Sequence, residues 1–259
     1  MDSKTVWLII VIFIVIIFFI RYRFIHKEKQ LKTFDLSHDI PLGKVPLEQP
    51  FQNKLLLSSS PEMYYLPQFL NENEIKHVLD LIQTRFQRSR AEPANGEPME
   101  HEDRTSYSAF LSKSETSVIE NIEKRASEIS GMPLVNLEDI QIVRYTPGQF
   151  FNPHYDYFVR YTEKNGQDGK ATIESLKRGG QRVKSIFVYL NLLDENEKGG
   201  STIFPVLKRK FKPVYAGDAL MWNNMENGVE DERTLHGGEK VKHSIKYGMN
   251  IWIREKAFQ

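Results

Sequence analysis

The sequence predicts a mainly β fold with flanking helices: an α+β chain with a double-stranded β-helix (jelly-roll) core, preceded by one N-terminal transmembrane helix. Three observations carry this expectation. Short apolar segments separated by turn residues recur between residues 140 and 253 without alternating strand and helix, the pattern of a double-sheet antiparallel barrel rather than of βαβ units. Two helical periodicities lie N-terminal to them. Residues 6–20 are all apolar, between Lys4 and Arg21.

At about 1.5 Å per residue the apolar run spans roughly 22 Å, and Trp7, Tyr22 and the stems of Arg21 and Arg23 extend it toward the ~30 Å of a hydrocarbon core. Bulky residues follow it where a signal-peptide cleavage site would need small ones, so residues 1–25 are expected to form an uncleaved single-pass anchor. Arg21, Arg23, Lys27, Lys29 and Lys32 behind the run bias the large domain toward the cytosolic side. Residues 26–60, polar and carrying Pro41, Pro46, Pro50 and the Ser58-Ser59-Ser60 cluster, read as a juxtamembrane linker to a domain spanning residues 61–259.

Within that domain, Met63, Tyr64, Tyr65 and Leu66 make a short strand, and Asn71 or Asn73 caps a helix whose apolar face is Ile75, Val78, Leu79, Ile82 and Phe86. A second helix starts near Ser117, where Ser117-x-x-Glu120 forms a capping box, and stops at Gly131. Residues 90–99, rich in Pro, Gly and Glu, read as a mobile loop. Strands are expected at 140–145, 184–190, 200–204, 211–214, 219–222 and 249–253. The Gly/Lys/Glu-rich residues 160–181 interrupt them as a flexible flap.

The formal charge of +1 and the absence of interleaved basic and aromatic residues argue against nucleic acid as a partner. With no cysteine, disulfides, thiolate metal sites and cysteine nucleophiles are excluded. Chemistry then falls to His154-x-Asp156. Residues two apart on an extended strand project to one face, so this pair can offer an imidazole nitrogen and a carboxylate oxygen to one metal. A third ligand from a distant histidine, His236, completes a facial triad, the donor set of non-haem Fe(II) that keeps three cis positions open. Lys246 follows as a candidate anchor for a cosubstrate. His26, His38, His77, His101 and His243 lack a carboxylate at strand spacing and read as solvated or structural.

The order Arg144-Tyr145-x-x-Gly148-x-x-x-x-x-His154-x-Asp156, Tyr189-Leu-Asn191, Gly199-Gly200-x-Thr202-x-Phe204-Pro205, Gly217-Asp218-Ala-Leu220, His236, Lys246 resembles the catalytic domain of the prolyl 4-hydroxylases, over residues 62–255. The resemblance implies that His154, Asp156 and His236 hold Fe(II). It implies that Lys246 grips the distal carboxylate of 2-oxoglutarate, with Tyr145 and Thr202 adding hydrogen bonds, and that O2 is the second cosubstrate and L-ascorbate the reductant. It also implies that Arg104, Ser106, Glu138 and Trp252 line the groove for a proline-containing peptide or protein, with Phe151 and Tyr155 as further aromatics. An endoplasmic-reticulum or other endomembrane address fits its membrane-anchored members. Ser244, where the family usually has glycine, and Phe151, where it often has tyrosine, depart from the pattern. The residues alone leave open the same chemistry on another residue or a small molecule, a zinc hydrolase, and a tethered jelly-roll binding module without catalysis. They leave the oligomeric state unknown.

Overall fold

The computed structural model describes residues 32–33, 54–89, 102–159 and 170–259. The expected anchor at residues 1–25, the loop at 90–99 and the first half of the flap lie outside the described residues. Among the described residues no helix is long and apolar enough to cross a membrane. Met1–Lys32 and Thr33–Gln259 are separate units, and the second contains the fold that follows, apart from Lys32 of its first strand.

Its strands are β1 (Lys32–Thr33), β2 (Leu55–Ser59), β3 (Glu62–Leu66), β4 (Gln87–Arg88), β5 (Tyr107–Leu111), β6 (Ile140–Tyr145), β7 (Phe151–His154), β8 (Arg182–Tyr189), β9 (Thr202–Phe204), β10 (Arg209–Phe211), β11 (Ala219–Asn223), β12 (Met225–Glu226), β13 (Val229–Glu230), β14 (His236–Gly238) and β15 (Lys246–Arg254). The larger sheet has the order β2-β3-β11-β8-β15-β6-β5-β4 and the smaller β1-β10-β9-β14-β7. The double-sheet expectation is met.

Both faces of the larger sheet are buried, and alternation divides its residues between them. Ile140, Ile142, Ile186, Val188, Met221, Met249, Ile251 and Ile253 pack with the helix residues Ile75, Val78, Ile82, Ile119, Ile122 and Ala126. The intervening Val143, Tyr145, Phe187, Tyr189, Leu220 and Trp222 join Phe204 and Phe211 of the smaller sheet in a second cluster. Such two-sided burial gives near-continuous apolar runs, and for that reason β6, β8, β11 and β15 are visible in the sequence. By the same alternation Lys246, Gly248, Asn250 and Trp252 of β15 face the smaller sheet.

Helix α1 (Glu72–Ile82) starts at a capping box in which Asn71 and Glu74 exchange backbone hydrogen bonds, and it stops before Phe86. Helix α2 (Ser117–Ser130) is capped by Thr116, whose hydroxyl accepts from the Ile119 amide, rather than by a box on Ser117. Gly131 ends it in the left-handed conformation, as expected. Arg125 of α2 binds Glu74 at 2.7 Å and so joins the two helices on the sheet.

Three readings need correction. Leu55–Ser59, assigned to the linker, pairs with β3 as part of the larger sheet. Tyr107–Leu111 is a strand that the sequence analysis missed. The described part of the expected flap contains a helix, α3 (Lys170–Lys177).

Candidate active site

β7 and β14 are antiparallel neighbours in which His154 and His236 are direct partners. β7 ends at His154, so Asp156 is not on the same strand face as expected. It lies in the bend beyond, and the turning chain carries it back to the histidines. The candidate ligand atoms of the three residues lie within 4.8 Å of one another. Asp156 Oδ2 is 3.6 Å from His236 Nε2, and Asp156 Oδ1 is 4.0 Å from His154 Nε2.

Each imidazole is oriented by its own backbone. His154 Nδ1 is 2.9 Å from the Asn152 carbonyl and His236 Nδ1 is 2.9 Å from the Thr234 carbonyl. A carbonyl only accepts, so both Nδ1 atoms carry the proton and both Nε2 lone pairs face the common centre. Phe151 stacks on His154 at 3.6 Å, and Trp222 meets His236 edge-on at 4.8 Å. Burial, with His236 beside it, pushes His154 down to about 3, which keeps it neutral and able to coordinate. Burial alone would raise Asp156, but His236, His154, Arg182 and the Ser185 hydroxyl outweigh it and hold the carboxyl below its ordinary value. Ser185 Oγ donates to Asp156 Oδ2 at 2.6 Å and accepts from Asn224 Nδ2 at 2.9 Å.

The triad lines one cavity with Lys246, Tyr145, Thr202, Arg104, Asn250 and Trp252. Lys246 is buried, with its Nζ 5.1 Å from the Phe187 ring, 5.5 Å from Tyr189 and 5.9 Å from Tyr145. A Cβ on Gly248 would meet the Phe187 ring at 2.4 Å, so glycine there makes room for that ring beside the ammonium. Among the described residues no carboxylate lies within ion-pair distance of Lys246 Nζ, and burial pushes the amine down to about 7. Thr202 Oγ1 accepts from the Tyr189 hydroxyl at 2.9 Å, which leaves its own proton to donate. The buried Tyr145 hydroxyl lies near Ser106 and Arg104, and burial raises it above the ordinary phenol value.

The expected groove residues divide. Arg104 and Trp252 line the cavity, with Arg104 4.6 Å over the Phe151 ring and bonded to Gln141 at 2.9 Å. Ser106 does not line it. It is fully buried behind Arg104 and Tyr145, bonded to Ser89 at 2.9 Å. Glu138 does not line it either. Its carboxylate accepts two hydrogen bonds from Arg182, at 2.6 and 2.8 Å, and pairs by charge alone with Arg254 Nε at 3.0 Å. Tyr155, expected among the groove aromatics, stacks on Tyr157 at 4.6 Å and is not part of the lining. Arg182 was missed: its guanidinium lies 3.8 Å over the Trp252 ring. Asn250 was missed as well, though alternation along β15 between Lys246 and Trp252 was signal enough to find it.

Two imidazoles and one carboxylate form a donor set suited to Fe(II) with open positions. A buried amine with no carboxylate within ion-pair distance among the described residues suits a dicarboxylate. The buried indole N–H groups of Trp222 and Trp252 lack acceptors among the described residues, which suits an acceptor-rich occupant such as 2-oxoglutarate.

Comparison with known proteins agrees. The profile of the 2OG-Fe(II) oxygenase superfamily matches residues 140–254. The chain is 33% identical over 218 residues to Prolyl 4-hydroxylase 1 of Arabidopsis thaliana, covering 78% of this chain and 72% of that protein. It is 32% identical over 222 residues to Probable prolyl 4-hydroxylase 7 of the same plant, covering 78% and 66%. Among solved structures, the viral collagen prolyl hydroxylase of Paramecium Bursaria Chlorella virus-1, in its 2OG complex, aligns with TM-score 0.55 and 26% identity, over 74% of this chain and 95% of that one. A Trichoplax adhaerens prolyl hydroxylase in complex with a hypoxia inducible factor peptide fragment shares the fold, with TM-score 0.53 and 16% identity, over 76% and 85%. The zinc-hydrolase and non-catalytic readings give way, and the chain belongs to the prolyl 4-hydroxylase family of 2OG-Fe(II) oxygenases.

Proposed function

We propose that this chain is a 2-oxoglutarate- and Fe(II)-dependent dioxygenase that hydroxylates peptidyl proline at C4, in proline-rich or collagen-like sequences. The carrying observation is the convergence of His154, Asp156 and His236 on one point in a cavity that also holds the buried Lys246, with no carboxylate in ion-pair reach among the described residues. When bound, Fe(II), 2-oxoglutarate and O2 supply the oxidation, in which 2-oxoglutarate loses carbon dioxide to become succinate and the substrate gains one oxygen atom.

The chain's own residues bind and orient. His154 and His236 present fixed Nε2 lone pairs, and Ser185 steadies Asp156. Lys246 pairs with the distal carboxylate, to which Thr202 donates. No side chain has to serve as acid, base or nucleophile toward the substrate. An extended proline-rich ribbon is already ordered, so a groove of flat surfaces binds it at low entropic cost. Phe151, Arg104 and the Arg182-backed ring of Trp252 supply such surfaces.

The apolar run at residues 6–20 supports a single-pass anchor in an endomembrane, and residues 26–54 then tether the catalytic unit. L-ascorbate is the reductant that the family resemblance supports. Peptide-stimulated succinate release tests the substrate class. Proline-containing peptides should accelerate it while free proline does not, and stimulation by free proline alone would move the reading to small molecules.

A further inference from the structure

We infer that Asn191 and Glu197 are positioning residues for Lys246, holding the backbone on both of its sides so that the ammonium stays aimed into the cavity. The inference rests on the reading of Lys246 as the cosubstrate anchor. The observation behind it is a gap in the sheet. β15 pairs with β8 as far as Gly248 opposite Tyr189, the Leu190 amide adds one last backbone bond to the Tyr247 carbonyl at 3.1 Å, and beyond it the Tyr247 amide and the Ile245 carbonyl find no β8 backbone partner among the described residues. Asn191 takes its place. Its Oδ1 accepts from the Tyr247 amide at 2.7 Å and its Nδ2 donates to the Ile245 carbonyl at 2.8 Å, the donor–acceptor pair that a neighbouring strand would present. Nδ2 also donates to the Leu192 carbonyl at 2.9 Å. One carboxamide thus fixes the peptide groups that bracket Lys246.

Glu197 fixes the approach. Its buried carboxylate accepts from the amides of His243 at 2.7 Å, Ser244 at 2.9 Å and Lys242 at 3.1 Å, all in the segment leading into β15. It also accepts from the Gly199 amide at 2.8 Å, in the segment leading into β9 and Thr202. Asp194 adds a backbone bond to Ser244 Oγ at 3.1 Å. The two strands that carry the cosubstrate contacts are therefore joined where they enter the barrel. A carboxylate bonded to several backbone amides makes strong, directional contacts, and a displacement of about 1 Å at a positioned group can cost ~100-fold in function.

The test uses the full chain in detergent, loaded with Mn(II) under anaerobic conditions, with 2-oxoglutarate affinity read by calorimetry without turnover. Asn191→Ala and Glu197→Ala should each weaken 2-oxoglutarate binding about tenfold or more, while the KM for a proline peptide in the Fe(II) enzyme stays within about twofold. Asn191→Asp, which keeps the acceptor for Tyr247 and loses the donor to Ile245, and Glu197→Gln, which keeps an acceptor oxygen, should recover part of the loss. Val188→Ala, a core truncation away from the cavity, controls for general destabilisation and should leave the affinity unchanged. If Asn191→Ala does not fold, the Asp and Gln variants carry the test. Parental affinity in the folded Asn191 and Glu197 variants, or an equal loss in Val188→Ala, overturns the inference. Failure of the functional reading looks different: the parent chain itself would then bind no 2-oxoglutarate, or would bind it and hydroxylate no proline.

Discussion

His236 stands directly opposite His154 in the antiparallel ladder of β7 and β14, with the two rings 4.5 Å apart. A single strand pairing thus brings together residues that are far apart in sequence, and Asp156 only has to turn back to meet them. Asp156 depends on Ser185 to hold that turn. Replacing Ser185 with alanine should weaken Fe(II) binding by ~10–100-fold, the usual cost of losing a hydrogen bond to a ligating group. Metal titration of the purified variant checks this, and unchanged affinity would show that the 2.6 Å contact is incidental.

Lys246 gives a pH signature. Its amine titrates at about 7 when folded, against ~10.4 for an unperturbed lysine. The folded value is the lower one, so between roughly pH 7 and 10 the unfolded chain binds the extra proton and stability rises with pH, by up to ~1.4 kcal/mol per unit. Lys246→Met should abolish that rise, so the gap in melting temperature between parent and variant should shift steadily across this window. 2-Oxoglutarate reverses the preference, because it pairs with the charged amine. Its stabilisation of the parent should be larger near pH 6.5 than near pH 9, and equal stabilisation at both would contradict the assignment of Lys246.

Glu138 acts through Arg182. Both are largely buried, so Glu138→Ala takes the shared carboxylate from two guanidinium groups and should destabilise the fold by about 3 kcal/mol in chemical denaturation, with Arg254 still held by the Gly180 and Ser175 carbonyls. It also frees Arg182 to leave Trp252. The KM for a proline peptide should then rise several-fold while 2-oxoglutarate affinity holds. A variant with normal peptide KM would limit Glu138 to a structural part.

The sequence showed most clearly what burial writes into it. β6, β8, β11 and β15 are apolar on both faces and stand out, as do the amphipathic stripes of α1 and α2. β5 hid because Tyr107-Ser-Ala-Phe-Leu is apolar in composition but short and isolated, and α3 hid inside a segment whose Gly and Lys content reads as loop. In the site, His154, Asp156, His236 and Lys246 were legible by type and order. The parts that were not legible depend on long-range pairing. Arg182 lies over the Trp252 ring only because β8 lies beside β15, and Glu138 turns away from the cavity only because two arginines from distant strands converge on its carboxylate. Asn191 stands in the Tyr189-Leu-Asn191 motif, and only the end of β8 shows which backbone it completes.

The most direct measurement is mass spectrometry of polyproline and collagen-like peptides incubated with the chain, Fe(II), L-ascorbate and 2-oxoglutarate. The expected result is the gain of one oxygen atom on proline, lost entirely in His236→Ala. A gain that survives His236→Ala, or no gain on any proline peptide while 2-oxoglutarate is still consumed, would contradict proline hydroxylation at the His154–Asp156–His236 centre.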